Sequence, residues 1–202
     1  LLALQPDLSS GLTSTPFSDP YGFTDPNESF NPRLTFEFDG QSVFAGAHVT
    51  VDEEFLNVNT GAIATSADGT TWSVTAVFPE GENVSKVAVG DGTVLFIGDS
   101  TALSTTDLQA FTSATYPFTS GFPATALTYF KGAFYAFEFS REIVRSSDNG
   151  QTWESLPVIK TPDGQFDLRV QSAAANDELM VISAGFGYVA VTTDGENWTS
   201  IQ

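Results

Sequence analysis

The chain reads as an all-β protein, a β-propeller of four-stranded antiparallel blades with about four blades, and three observations predict it. The first is a short phrase that recurs. Its full form is Ser146-Ser147-Asp148-Asn149-Gly150-Gln151-Thr152-Trp153, and forms one residue shorter run from Ser66 through Asp68 and Gly69 to Trp72 and from Thr192 through Asp194 and Gly195 to Trp198. A worn copy from Thr105 through Asp107 to Phe111 has lost its glycine. The four aspartates lie 39, 41 and 46 residues apart (68 to 107, 107 to 148, 148 to 194). Such a period marks stacked or radial β repeats.

The second observation is a turn signal in phase with the first. Asp39-Gly40, Asp91-Gly92, Lys131-Gly132 and Asn176-Asp177 each divide two apolar, alternating segments. Asn or Asp beside Gly accepts the positive φ of a two-residue hairpin turn, so antiparallel pairing is expected on either side. The third is composition: 18 Phe in a chain with Thr- and Val-rich segments and few lysines favours strands.

Taken in order, residues 1–32 hold five of the ten prolines without clear alternation and read as an N-terminal strap or linker. The propeller domain is expected over 33–202, with blades at approximately 33–80, 84–119, 124–159 and 167–202. Each blade is a hairpin, a third strand, an aspartate turn and a fourth strand. Leu34-Thr35-Phe36-Glu37-Phe38 shows the period of two that one buried face requires. The first unit is irregular. Its first turn and its aspartate are 29 residues apart, against 16, 17 and 18 in the later units. This places an insertion of about a dozen residues near 47–60, read as an extended hairpin with an acidic tip.

In the recurring phrase the Asp carboxylate is suited to accept backbone N–H groups ahead of it, the glycine takes a conformation other residues resist, and the aromatic buries area beneath the turn. Ser66, Asp68, Gly69, Trp72, Asp107, Phe111, Ser146, Asp148, Gly150, Trp153, Asp194, Gly195 and Trp198 are therefore read as structural. The form S-x-D-x-G-x-T-W, complete from Ser146 to Trp153, resembles the Asp-box or bacterial neuraminidase repeat found in sialidases and sortilin-like receptors. That resemblance implies a β-propeller with the boxes on its periphery, away from any ligand site. It does not extend to the sialidase arginine cluster, since this chain has four arginines in all and no Arg-Ile-Pro segment.

Twenty-five acids against seven bases give a formal net charge of −18, a field that repels nucleic acid and anionic lipid. No nucleic-acid partner and no membrane insertion are expected, because no apolar run approaches the roughly 20 residues of a spanning helix. The absence of cysteine excludes disulfides and thiol chemistry. A secreted, periplasmic or cell-surface location is the expectation, and the opening Leu reads as a processed or trimmed product.

Function is expected on the edge opposite the aspartate phrases, where irregular loops collect. The candidates there are His48, Asp52, Glu53 and Glu54 in the first-unit insertion, Tyr116 and Phe118 between the second and third units, and Arg141, Glu142 and Tyr188 in later loops. No catalytic residue can be selected and no cofactor is expected, calcium being the one cation the acidic insertion would suit. The reading is a non-catalytic extracellular module that binds a glycan or protein partner. The alternatives are a glycoside hydrolase on a neutral polysaccharide, which needs two facing carboxylates, and a structural subunit of an extracellular or virion assembly. Self-association or a larger assembly that completes the ring is a further expectation, because four units are few for such a propeller.

Overall fold

The computed structural model describes the backbone of residues 28–51 and 57–202 and the side chains of residues 32–47 and 60–202. The first sheet comprises β1 (Glu28–Phe38), β2 (Gln41–Val51), β3 (Asn57–Ser66) and β4 (Ser73–Glu80). The second comprises β5 (Lys86–Gly90), β6 (Thr93–Ile97), β7 (Ala102–Thr105) and β8 (Thr112–Ala114). The third comprises β9 (Ala124–Phe130), β10 (Ala133–Glu138), β11 (Ile143–Ser146) and β12 (Glu154–Leu156). The fourth comprises β13 (Val170–Ala175), β14 (Met180–Ala184), β15 (Val189–Thr192) and β16 (Thr199–Ile201). Every sheet is an antiparallel meander whose spatial order follows the sequence, as a propeller blade requires.

The turns explain the meanders. Asp39 and Gly40, Asp91 and Gly92, and Lys131 and Gly132 all have positive φ, the geometry of a tight two-residue hairpin. The fourth turn differs from the two-residue turn expected at Asn176-Asp177. With no glycine at hand, residues 176–179 form a longer loop in which the Asn176 Oδ1 accepts the N–H groups of Glu178 and Leu179.

The N-terminal boundary also shifts. β1 begins at Glu28 rather than after residue 32, because β2 is long enough to pair with it as far back as Thr50. Pro32 is tolerated since β1 is an edge strand and its register shifts between Pro32 and Leu34. The inserted residues of the first unit lengthen one hairpin. β2 and β3 pair at ten positions from Ser42–Ser66 to Val51–Asn57, against four between the second and third strands of each other sheet.

The sheets stack face to face in chain order. Val43, Ala45 and Ile63 pack on Val94 and Phe96 between the first and second sheets. Leu95 and Ile97 pack on Phe134 and Ala136 between the second and third. Tyr135 and Phe137 pack on Met180 and Ile182 between the third and fourth. In β6 and β10 alternation sends successive side chains to opposite neighbouring sheets, so Thr93–Ile97 and Ala133–Glu138 are buried throughout.

Candidate functional site

The up-and-down topology gives the molecule two loop edges. The hairpin turns and the aspartate turns share one. The β2–β3, β6–β7, β10–β11 and β14–β15 connections share the other with the segments that link sheets.

On the first edge the four aspartate turns have the same wiring. The hydroxyls of Ser66, Thr105, Ser146 and Thr192 donate to Asp68, Asp107, Asp148 and Asp194 at 2.8–3.2 Å. Each hydroxyl also accepts a backbone N–H, from Gly69, Leu108, Gly150 and Gly195 respectively. Each carboxylate then accepts N–H groups further on, Thr70 and Thr71 in the first turn and Glu196 and Asn197 in the last. Backbone donors lead at Asp68 and Asp107, and the side chains of Thr152 and Asn197 lead at Asp148 and Asp194, so all four carboxyls are held below their ordinary pKa.

The turns also clip each sheet to the one before it. The Trp153 indole N–H donates to the Thr115 carbonyl at 2.9 Å, and the Thr115 N–H donates to the Gly150 carbonyl at 2.8 Å. Arg145 binds Glu154 at 2.7 Å and reaches Glu196 in the next sheet at 2.9 Å. Those carboxylates, that of Glu154 first, raise its pKa above the ordinary arginine value. Lys131 donates to the Thr193 carbonyl across the same seam. Trp198 lies edge-on to Phe137 of the preceding sheet. Trp72 stacks on Phe44 of its own sheet at 3.9 Å, and Phe111 lies against Phe96 of its own sheet in the core shared with the first.

The opposite edge carries a cavity of about 690 Å³ between the third and fourth sheets. Its lining comes mainly from three segments, with Gln171 of β13 and Gln202 added. The β10–β11 loop supplies Arg141, the β14–β15 loop supplies Gly185, Phe186 and Tyr188, and the connection at 157–169 supplies Phe166 through Arg169. That connection, the longest of the three between sheets, folds into a small hairpin finger. The Leu168 N–H donates to the Ile159 carbonyl and the Thr161 N–H to the Phe166 carbonyl. Its tip repeats the aspartate chemistry of the other edge: the Thr161 hydroxyl donates to Asp163, which also accepts the Gln165 N–H and has a lowered pKa. Here the aromatic residue is turned outward, and Phe166 is 66% exposed.

Exposed phenylalanines and two arginines lie together on this edge. The prominently exposed phenylalanines among the described residues, Phe122, Phe139, Phe166 and Phe186, all belong to it, and Phe186 is 96% exposed. The Arg169 guanidinium lies 3.8 Å from the Phe139 ring centroid, and Phe122 flanks Phe139 at 6.1 Å. Backbone strain outside the regular turns also occurs here. Of the non-glycine residues with positive φ, Asp39, Asp91, Lys131, Leu108 and Asn149 sit in hairpin or aspartate turns, whereas Arg141 (84°) and Phe186 (63°) sit at the cavity. A side chain in that region costs on the order of 1 kcal/mol that glycine would avoid.

The structure places the sequence candidates unevenly. Arg141 and Tyr188 line the cavity. Glu142 lies beside it on the β10–β11 connection, its carbonyl accepting the N–H of Glu138. Tyr116 is half-buried, with a buried hydroxyl that lacks a hydrogen-bond partner; burial first, then the nearby Glu138, Asp99 and Glu82, raise its pKa. Phe118 is a core residue rather than a surface platform, buried between the second and third sheets because the 115–123 connection dips into that seam. His48 lies in β2 with its backbone opposite Thr60 and Phe30. Asp52, Glu53 and Glu54 lie outside the described residues. Among those described, no group of three or more His, Asp or Glu is arranged for a metal ion. Sequence reasoning missed Phe166, Arg169 and Gln171. The order Thr161-x-Asp163-Gly164-x-Phe166 was the signal that could have found the finger, since it shortens the recurring phrase by one residue.

No protein-family model matches the chain, and a comparison with curated proteins gives no match. Solved structures are similar. YCF48 from Cyanidioschyzon merolae superposes with a TM-score of 0.51 at 15% identity, over 71% of this chain and 51% of that one. A structure of YCF48 bound to D1 peptide gives 0.52 at 15% identity, over 88% and 57%. The computationally designed Ika4 protein gives 0.52 at 17% identity, over 79% and 88%. The chain thus spans about half the length of the YCF48 structures. At such identities the likeness shows the fold alone, and with the four meandering sheets it establishes that fold as a β-propeller.

Proposed function

We propose that this chain is a binding module that takes a segment of a protein partner at the edge opposite its aspartate turns. One observation carries the reading: a cavity of about 690 Å³ joins exposed Phe166 and Phe186 to Arg141 and Arg169, within the range of pockets that hold small ligands or anchor residues. Exposed rings beside arginine are the composition of binding hot spots. A structurally similar propeller is one that has been solved with a peptide bound.

The same reading takes the four aspartate turns as Asp-boxes that hold the sheets in register and leave the other edge free to vary. It places the chain in a secreted, periplasmic or cell-surface setting, where dissolved salt screens its many carboxylates. A glycan is the competing ligand, favoured by an amide, Gln171, and an aromatic ring, Tyr188, in the same lining. Hydrolysis of such a glycan is less well supported. Glycoside cleavage uses two facing carboxylates, and the one acidic side chain in the cavity lining, Asp167, is engaged by Lys160 at 3.2 Å.

The test is a parallel screen of the purified chain against a random peptide library and a glycan array, with and without calcium. Peptide hits that weaken at least about tenfold in Phe166→Ser and Phe186→Ser variants are expected, as loss of a hot-spot ring implies. Glycan hits alone, or peptide binding indifferent to both substitutions, would count against the proposal.

A further inference from the structure

We infer that the cavity recognises the free C-terminal carboxylate of its peptide partner together with an apolar last side chain. This rests on the peptide-binding reading above and deepens it.

Charge gives the first argument. The chain has seven bases against 25 acids; four of the seven are committed, and Arg33 stands apart in β1. Arg145 is held by Glu154 and Glu196, Lys160 by Asp167, and Lys131 and Lys86 donate to the carbonyls of Thr193 and Ser85. Arg141 and Arg169 form no ion pair among the described residues, and both line one cavity. The cavity's own acid is engaged by Lys160. A net −18 molecule that leaves two guanidinium groups unpaired at one spot offers an anion subsite where its overall field would otherwise repel anions.

Geometry gives the second. The Arg169 guanidinium carbon sits 3.8 Å from the Phe139 ring centroid, a cation–π contact that holds the group in place while it forms no ion pair among the described residues. Arg141 keeps a left-handed backbone at a loop position where glycine would be unstrained. The strain is intelligible if the side chain is needed there. Gln171 sits at the register shift between Val170 and Ser172, a bulge that frees its backbone from the ladder, and its residue faces the same cavity. An amide at that place suits the peptide bond before the last residue.

The apolar walls distinguish a chain end from an acidic side chain. Leu168 forms a buried floor, with Phe166, Phe186 and Tyr188 around it. A C-terminal residue presents a carboxylate and an apolar side chain from one Cα, so both subsites fill together. An internal Asp or Glu brings charge without the apolar group and must lead the chain out of the cavity in two directions. Capture of a terminal carboxylate is an established mode of peptide recognition.

The experiment uses the full 202-residue chain and a random octapeptide library attached through its N-termini, prepared once as free acids and once as C-terminal amides. Binding confined to the free acids is expected, with Leu, Ile, Val or Phe enriched at the last position. Individual hits should weaken about ten- to a hundredfold on amidation and by a similar factor in Arg169→Gln, as loss of a charge-assisted contact implies. Arg141→Gly should bind comparably weakly while melting no lower than the parent, which separates lost recognition from lost folding. Amides that bind as well as acids would overturn this inference and leave the peptide-binding reading intact. So would free-acid hits displaced by inorganic phosphate in both arginine variants and parent alike. Glycan binding with no peptide binding in either format would overturn both.

Discussion

At the scale of single residues, the hydroxyl that opens each aspartate turn matters as much as the carboxylate. Ser146 is buried, donates to Asp148 and accepts the N–H of Gly150, itself buried. Ser146→Ala strands that donor, which costs about 1–2 kcal/mol. For a domain of this size the midpoint of thermal unfolding should fall by about 2–8 °C, measurable by calorimetry. The carboxylates set a pH dependence. Asp68, Asp107, Asp148, Asp163 and Asp194 all have folded pKa values below the unfolded one. Their contribution is therefore present above about pH 4 and lost as pH falls below it through the folded values. Denaturation followed from about pH 5 to pH 2 should show stability dropping steadily over the acid limb. A flat profile there would mean that the turns do not brace the fold.

At the scale of elements, the residue whose N–H binds each turn hydroxyl matches the side chain it meets on the preceding sheet. Register aligns Ser42, Val94, Phe134 and Met180, since each pairs with a turn hydroxyl residue. Val43, Leu95 and Tyr135 are thus equivalent. A Cβ on Gly195 would lie 2.1 Å from the Tyr135 hydroxyl, and one on Gly150 would lie 2.9 Å from a Leu95 methyl. Where the preceding sheet offers only Val43, the turn carries Leu108, fully buried in the shared core despite a φ of 59°. Gly69 belongs to the first sheet and would meet nothing. Large therefore faces small at each seam. Val43→Leu and Leu108→Gly should each destabilise the chain, by about 1–3 kcal/mol for overpacking and a similar amount for the cavity. The double variant should recover much of the loss, and a double-mutant cycle in urea measures the coupling. Strict additivity would contradict the complementarity.

These elements show how far sequence carries. The repeat and the hairpin turns were legible because an Asp, a Gly or a hydroxyl at a fixed offset answers a local backbone demand. The missing glycine at Leu108 was visible, but its reason was not, because that reason is a valine 65 residues away in the neighbouring sheet. Arg141 and Tyr188 were reachable from topology, which assigns whole loops to one edge. Arg169, Phe166 and Gln171 were not, since they depend on the fold of the 157–169 finger and on a bulge in β13, neither of which alternation encodes. Phe118 was misplaced for the converse reason: an aromatic in a connection looks exposed until the seam beneath it is known.

For the whole molecule, three apolar cores serve four sheets among the described residues. Each core joins two sheets that are consecutive in the chain. The trailing face that is buried in the first three sheets carries half-buried Val181 and Ser183 in the fourth. Division of labour between edges follows from the same plan. One edge is spent on regular turns that clip sheet to sheet, and the other collects the longest connection, the exposed phenylalanine rings and two arginines without an ion pair, Arg141 and Arg169. Hydrogen–deuterium exchange on the chain with and without a selected peptide tests that division most directly. Protection should appear in 139–142, 161–171 and 185–188 and leave the aspartate turns at 66–71, 105–110, 146–152 and 192–197 unchanged. Protection centred on those turns, with the opposite edge unaffected, would contradict the account.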